Sequence, residues 1–394
     1  MKVLYLTTES PASIGVRNKI LSKISALNNI GVETKCVFFS EAETAQKLNT
    51  PFAEHITYRS KPLPFIFRKR FFWKFQIAYS NFFFYRTFYK QIKDKLKVDH
   101  VILRYPGADI NLYYFIKKLG VKVVLEHNSK ELRELELNPN IFLFDYYYKA
   151  EQTIGPRILK KSAGLIAVTD EIRQYEVERS GTKKKSAVIS NGFNVNNVIL
   201  RNSPAYNGSE VKILYLIGSG TSDWYGIDRL MKSISAYKGK VNFSLYIAGS
   251  KFKKEIELAD ELAISDKVNF IGYAEGEELN KLFNECHIAV AALAMFRIGL
   301  EQAAALKVKE YLSRGMPFML GYDEVDLVNN DNASGFYLKF ENNDSLIDME
   351  KIIDFLEGFY RNPANPDNMR DFASKTIDYS IKAEAYKTFL QSLN

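Results

Sequence analysis

Short apolar runs alternate with helix-patterned segments along nearly the whole chain, and this alternation constrains the fold more than any other feature. KVLYLTT opens as a β-rich run, residues 16–30 carry Val16, Ile20, Leu21, Ile24 and Leu27 at helical spacing, and VETKCVFF returns to strand character. That is a βαβ unit. HVILRYP, the helical DINLYYFIKKLG ending at Gly120, VKVVLEHN, GLIAVTD and KSAVISNG continue the series, each a compact run closed by polar or glycine residues. Continuous apolar strands of this kind are those of parallel sheets covered on both faces.

The pattern occurs twice. After the Asn-, Ser-, Pro- and Gly-containing stretch NVNNVILRNSPAYNGSE, which has the composition of a linker, a second series begins: VKILYLIG, a helix around IDRLMKSISAY, FSLYIAG, the segment IELADELAIS, KVNFIG, a helix at EELNKLFNEC, HIAVAAL, a helix at AALKVKEYLSRG and the strand PFMLG. The economical reading is α/β with two doubly wound domains, a division that 394 residues and 46% hydrophobic content can support. No strand follows the helix-like tail SIKAEAYKTFLQSLN.

Cys36 and Cys286 are far apart within apolar runs, so no disulfide framework or cysteine zinc site is expected and a reducing cytoplasm fits. The opening MKVLYLTTES is too briefly apolar for a secretion signal, and no stretch approaches the 18 or so apolar residues of a membrane span. Of the net charge of +8, much is concentrated between Tyr58 and Lys97, where eleven Lys or Arg and fourteen aromatics accompany one acid, Asp94. At helical spacing this composition suits an anionic membrane surface, and the alternative is a domain core with a solvated cationic face. No nucleic-acid-binding motif accompanies it, so no nucleic-acid partner is expected.

GLEQAAALKVKEYLSRGMP, from Gly299 to Pro317, carries the most chemistry. A helix starting near Ala304 would aim its unpaired backbone N–H groups and positive dipole end at a cleft, as diphosphate-binding helices do. Glu310 would lie about two turns inside, and Gly315 with Pro317 would end the helix. An amphipathic helix capped by glycine has the same pattern.

LKVKEYLSRGMPFMLG closely resembles the donor-site helix of the retaining glycosyltransferases of family GT4, whose mark is two Glu separated by seven residues. The resemblance spans seven stretches in family order: KVLYLTTES with Gly15 after it, LEHNSKELRELE, GLIAVTDEI, AVISNGFN, WYGIDRL, VNFIGYAEGEELNKLFNECHIAV and the donor helix. It implies a GT-B fold of two facing Rossmann-like domains with a C-terminal crossover helix. Residues 1–200 would bind the acceptor, 201–376 the nucleotide-sugar donor, and 377–394 would pack back on the first domain. It further implies retaining transfer from a nucleoside diphosphate sugar to an acceptor; where the basic aromatic tract docks on a membrane, that acceptor is expected to be a lipid-linked glycan of bacterial surface polysaccharide synthesis and the protein to be cytoplasmic and peripheral to the inner face of the cell membrane. Glu310 would hold the ribose, and Ala304, Ala305 and Leu306 would present N–H groups to the diphosphate.

The chain departs from the family in two places. Gln302 stands where the first Glu belongs, with Glu301 beside it; its amide can bind the transferred sugar but adds no negative charge. The loop GSGTSDWYGIDRL lacks the Arg and Lys that clamp the diphosphate, having Ser219 and Gly220 near the first and Tyr225 at the second. Gly218, Gly220 and Thr221 offer backbone and hydroxyl donors instead, and Arg297 is either a substitute cation or a surface arginine. Without an Asp-x-Asp triplet, HExxH or a close His/Asp/Glu cluster, neither a catalytic metal nor another cofactor is expected; the glycine register does not fit a dinucleotide site either.

At a strand end, His127 by resemblance positions the sugar; a structural histidine, with Asn128 or Ser129 capping a helix ahead of Glu131, is the other reading. Asn191 and Gly192 would shape a turn near the cleft, and Gly15 would leave room for a ligand. Two rivals remain: a catalytically silent GT-B scaffold, suggested by Gln302 and the missing cations, and a nucleotide-sugar epimerase.

Overall fold

The computed structural model describes residues 1–394 apart from 42–44, 46, 49, 60–72, 138, 141–142, 218–221 and 251, and apart from the side chains of Trp73 and Lys74. The chain forms two compact units, Met1–Ser190 with Tyr379–Asn394, and Asn191–Asp378.

The first unit runs β1 (Lys2–Thr7), α1 (Ile14–Asn29), β2 (Glu33–Glu41), β3 (Ala53–Tyr58), α2 (Trp73–Ile92), β4 (His100–Arg104), α3 (Ile110–Leu119), β5 (Lys122–His127), α4 (Glu131–Leu137), α5 (Phe144–Thr153), α6 (Gly155–Lys161), β6 (Gly164–Ala167), α7 (Asp170–Ser180) and β7 (Ser186–Val188). Its seven strands are ordered β3-β2-β1-β4-β5-β6-β7. Pairing is parallel throughout, with Val3 opposite Thr34 on one side and His100 on the other. Local chemistry sets the helix ends: Asp109 caps α3 by accepting the Asn111 N–H at 2.7 Å, and Gly120 closes it in the left-handed region. Between them Leu112, Phe115, Ile116 and Leu119 form the buried stripe.

The second unit runs β8 (Glu210–Leu216), α8 (Ile227–Ala236), β9 (Asn242–Ala248), α9 (Lys253–Glu261), β10 (Val268–Gly272), α10 (Gly276–Glu285), β11 (Ile288–Val290), β12 (Gln302–Ala303), α11 (Leu306–Arg314), β13 (Phe318–Leu320), β14 (Asp323–Glu324), β15 (Tyr337–Lys339), α12 (Met349–Tyr360) and α13 (Asn365–Thr376). Its main sheet is ordered β10-β9-β8-β11-β13-β15, and β12 pairs with β14 apart from it. Alternate residues supply opposite faces. Val211, Ile213 and Tyr215 of β8 join one buried cluster with Ile288 and Val290, whereas Leu214 joins another with Ala289, Phe318 and Leu320. Both faces are therefore covered, as the continuous apolar runs require.

The last helix, α14 (Tyr379–Ser392), belongs to the first unit, where Tyr386, Phe389 and Leu390 share a core with Ile20, Ile24 and Leu27 of α1. The stretch with linker composition is docked on the second unit. Arg201 is buried and donates to the carbonyls of Gly315 at 3.1 Å and Cys286 at 2.8 Å and to the Tyr360 hydroxyl at 2.9 Å.

About a third of the basic aromatic tract, residues 60–72, lies outside the described residues. In the rest, Phe88 stacks on Phe39 at 4.3 Å and on Phe115 at 5.1 Å, and Phe84 meets Phe39 edge-on, so one side of α2 is core. On the other side Phe75 and Phe82 are 48% and 46% exposed. Among the described residues, no helix is long and apolar enough to cross a membrane.

At the end of α11, Gly315 has φ 69°, and an added Cβ would lie 2.6 Å from Pro366 Cβ. Gly315→Ala is expected to cost about 1–2 kcal/mol from the left-handed backbone alone and more from the collision with α13. Denaturant unfolding checks this; an unchanged midpoint would mean that the two helices separate without loss.

Candidate functional site

In the second sheet the chain steps outward from β8 to β10 on one side and from β11 to β15 on the other. Loops leaving the carboxyl ends of β8 and β11 diverge there, and such a switch point is where open α/β sheets bind ligands. Gly218, Ser219, Gly220 and Thr221, after β8, lie outside the described residues. Tyr225 closes the same loop: its carbonyl accepts the Tyr215 hydroxyl and, at 2.8 Å, the Leu293 N–H. Gly226 follows with φ 72°, and a Cβ there would stand 2.9 Å from Leu293 Cβ, so the close approach of the two loops needs glycine.

From β11 the chain leads through β12 to α11, which starts at Leu306, two residues after the expected Ala304. Ala305 is the N-cap, no side chain caps it, and the first turn holds no acid. The Ala305 N–H donates to Glu324 Oε2 at 2.9 Å, while Lys309 Nζ reaches Glu324 Oε1 at 2.5 Å and also Asp326. Burial pulls the Lys309 ammonium down, but Glu324 and Asp326 outweigh it and hold the group above the ordinary lysine value. The start of α11 is thus fastened to β14, with the N–H groups of its first turn at a positive dipole end suited to an anion.

Ala304 is buried, and its carbonyl accepts from Asn191 Nδ2 at 2.7 Å. Gln302 is half-buried in β12, opposite Asp323 of β14. Glu310 is the fifth residue of α11, one turn in rather than two, because the helix starts late. Its Oε1 accepts from Arg314 Nε at 2.8 Å, and that guanidinium also donates to Asn280 and lies 4.4 Å from the Phe283 ring centre. Arg297 is a structural cross-link: Asp228 takes it in a fork at 2.8 and 3.0 Å, Asp344 at 2.5 Å and the Asp223 carbonyl at 2.7 Å. Two carboxylates already neutralise it, which leaves the surface reading of that arginine.

Lys307, passed over in the sequence, is the second residue of α11. Among the described residues its buried Nζ has no hydrogen-bond partner, and it lies 3.9 Å from the Tyr225 ring centre and 5.7 Å from that of Tyr215. Burial lowers its pKa to about 7. A lysine in the first turn, against the helix dipole, was the readable signal.

In the first unit the corresponding switch point lies between β1 and β4. Gly15 sits in the first turn of α1, where an added Cβ would meet nothing within 4 Å. Arg104, ending β4, donates to Glu9 Oε1 at 3.2 Å and keeps a buried Nη1 without a partner. Beside it Glu126 accepts Lys23 at 2.5 Å, Tyr386 at 2.9 Å and Tyr5 at 3.1 Å. Burial works against the Glu126 carboxylate, but Lys23 and Lys19 prevail and hold its pKa at about 2.

His127, at the end of β5, is fully buried against Tyr105, with Nδ1 3.1 Å from Glu131 Oε2 and Nε2 without a partner. Burial keeps the ring neutral by lowering its pKa. His127, Glu131 and Glu176 offer ligand atoms within 4.8 Å of one another, a grouping that their spacing in the chain conceals. Glu176 is held by both its oxygens to Arg179, at 2.9 and 2.7 Å, and Arg179 also binds Glu151 at 2.7 Å. Burial, reinforced by Glu131, raises Glu176 to about 7.

Residues 203–371 match the family model described as Glycosyl transferases group 1. The matched span holds every candidate donor residue from Gly218 to Glu310. No curated protein matches the sequence. Among solved structures the chain is similar to a glycosyltransferase from Rickettsia africae (15% identity, TM-score 0.63, 100% of this chain and 98% of that one). It is also similar to Anabaena HepE in complex with UDP-glucose (14%, 0.64, 100% of both chains) and to the lipopolysaccharide outer core galactosyltransferase WaaB (14%, 0.67, 100% and 99%). At these identities the likeness is one of fold, and the fold is GT-B.

Burial and then Glu151 raise the Glu131 carboxyl well above 4.5. Above the ordinary value the unfolded carboxyl loses its proton while the folded one keeps it, so this contribution to stability is full at low pH and falls as pH rises. Glu131→Gln is expected to match the wild type near pH 4 and to exceed its thermal midpoint increasingly above the ordinary glutamate value. A midpoint difference that does not vary with pH would mean that the Glu131 carboxyl titrates alike in the folded and unfolded chain.

Proposed function

We propose that this protein is a retaining glycosyltransferase that moves a sugar from a nucleoside diphosphate sugar to a glycan acceptor. The observation that carries the reading is the uncapped start of α11 at the switch point of the second sheet, inside the span that matches the glycosyltransferase family. Glu310, one turn further in, supplies a carboxylate for the two ribose hydroxyls, with Arg314 fixing its direction. HepE, of the same fold, is in complex with UDP-glucose, which makes UDP the first nucleotide to test.

In the transfer, the bond from the anomeric carbon to the diphosphate oxygen breaks and its electron pair leaves with the diphosphate. The acceptor oxygen bonds to the same face of that carbon, and its proton passes to the departing oxygen. Backbone N–H groups at the start of α11 meet the charge that develops on the diphosphate. Gln302 orients the sugar through its amide, and His127, kept neutral, positions it on the acceptor side. No resident metal has a part in this scheme, a reading supported by the lack of an Asp-x-Asp triplet.

A catalytically silent scaffold is the second reading, favoured by Gln302 in place of a carboxylate and by Arg314 already holding Glu310. Donor hydrolysis separates the two, since a folded but persistently inert protein would support the scaffold.

A lipid-linked acceptor at an anionic membrane is supported by the outer side of α2, where the exposed Phe75 and Phe82 stand with Arg86 6.0 Å from the Phe82 ring centre.

Glu310→Ala is expected to weaken diphosphate binding about tenfold or more, the loss of a charge-assisted hydrogen bond of at least ~1.4 kcal/mol. Calorimetry with UDP, GDP and ADP, with and without EDTA, measures it, and unchanged affinity would remove Glu310 from the ribose site. The double variant Phe75→Ser, Phe82→Ser should lower cosedimentation with phosphatidylglycerol vesicles several-fold; equal binding by both proteins would argue against docking through α2.

A further inference from the structure

Lys307 stands where two physical effects oppose a cation. As the second residue of α11 it lies at the positive end of a helix dipole, a place that favours carboxylates. Its ammonium is also withdrawn from water without a hydrogen bond among the described residues. Among the described residues, several other buried cations are compensated: Lys23 by Glu126, Lys309 by Glu324 and Asp326, Arg179 by Glu176 and Glu151, and Arg201 by backbone carbonyls and a tyrosine hydroxyl. Around Lys307 there are the faces of Tyr225 and Tyr215 instead. Aromatic faces steady a cation but supply no counter-charge. A buried ammonium left in this condition is costly to the fold, and an anion would relieve it.

Position says which anion. Lys307 is at the switch-point crevice, on the helix whose uncapped N–H groups meet the diphosphate in the reading above. Tyr225 stands where the resembled family carries its diphosphate-clamping lysine, and the ammonium of Lys307 rests on the Tyr225 ring. The charge missing from the loop after β8 is thus brought to the same place from α11. Arg297, the other cation considered for this task, is held by Asp228 and Asp344.

We infer that the Lys307 ammonium binds the diphosphate of the nucleotide-sugar donor, an inference that rests on the donor reading above. It makes Lys307 a positioning and charge-compensating residue, supplying to the diphosphate the positive charge that the loop arginine and lysine supply in the resembled family.

The test compares the full-length wild type with Lys307→Met by calorimetry against UDP, GDP and ADP and against the corresponding nucleosides, and by thermal unfolding without ligand. For the diphosphate that the wild type binds, the variant is expected to lose about 10- to 100-fold in affinity, the range of one charge-assisted contact. Its affinity for the nucleoside should stay within about twofold, and its ligand-free midpoint should equal or exceed that of the wild type because a buried unpaired charge is gone. Should the methionine variant fail to fold, Lys307→Gln is read in the same assay. Equal diphosphate affinity in variant and wild type would overturn the inference and leave the donor reading standing, whereas a wild type that binds none of the three diphosphates would overturn both.

Discussion

Two parallel sheets, each covered by apolar residues on both faces, leave polar groups few ways into the interior except at the strand ends. That constraint organises the chemistry of this protein. At the amino ends of β11 and β13, Arg201 meets the carbonyls of Cys286 and Gly315, so its charge serves to anchor the chain entering the second unit. At the carboxyl ends the accounting is incomplete. Arg104 and His127, at the ends of β4 and β5, and Lys307, in the first turn of α11, each keep a buried nitrogen without a partner among the described residues. Buried polar atoms are ordinarily satisfied, so these three, on the side where α/β sheets bind ligands, are candidates for contact with a ligand, although His100 at the amino end of β4 also keeps unpaired ring nitrogens.

The start of α11 depends on one carboxylate. Glu324 accepts the Ala305 N–H and the Lys309 ammonium and receives the Tyr322 hydroxyl at 3.3 Å, all within the core. Because β14 also pairs with β12, the same short segment sets the position of Gln302 and the first turn of the helix. Glu310, one turn further on, takes its direction from Arg314, which Phe283 and Asn280 hold from α10. The elements that would meet sugar, diphosphate and ribose are therefore fixed by contacts internal to the second unit, which is what a preorganised site requires.

Much of this was legible in the sequence because parallel strands announce themselves as apolar runs. Lys2–Thr7, Lys122–His127 and Glu210–Leu216 were readable on that ground, and Gly120 and Gly315 marked helix ends by their backbone freedom. The edge strands Ala53–Tyr58 and Tyr337–Lys339 were not, since an edge position does not demand the continuous apolar run of a central strand. The linker composition of 194–210 hid a buried arginine, because pairing with distant carbonyls leaves no local trace. For the same reason the gathering of His127, Glu131 and Glu176, and the bridging of Asp228 and Asp344 by Arg297, emerge only in three dimensions.

His127 and Lys307 show how unequal two unsatisfied atoms can be. Burial drives the imidazole towards its neutral form, in which one nitrogen bonded to Glu131 and the other unpaired is a modest penalty. An ammonium has no such retreat without losing its proton, and burial moves Lys307 down to about 7. A diphosphate bound there would favour the charged form, whereas burial alone favours the neutral amine. A lysine suits this position better than an arginine, whose guanidinium stays charged under all such conditions. The Lys307 side chain lies against the rings of Tyr225 and Tyr215, an apolar surface that accepts its methylene chain and, as aromatic faces do, its charge.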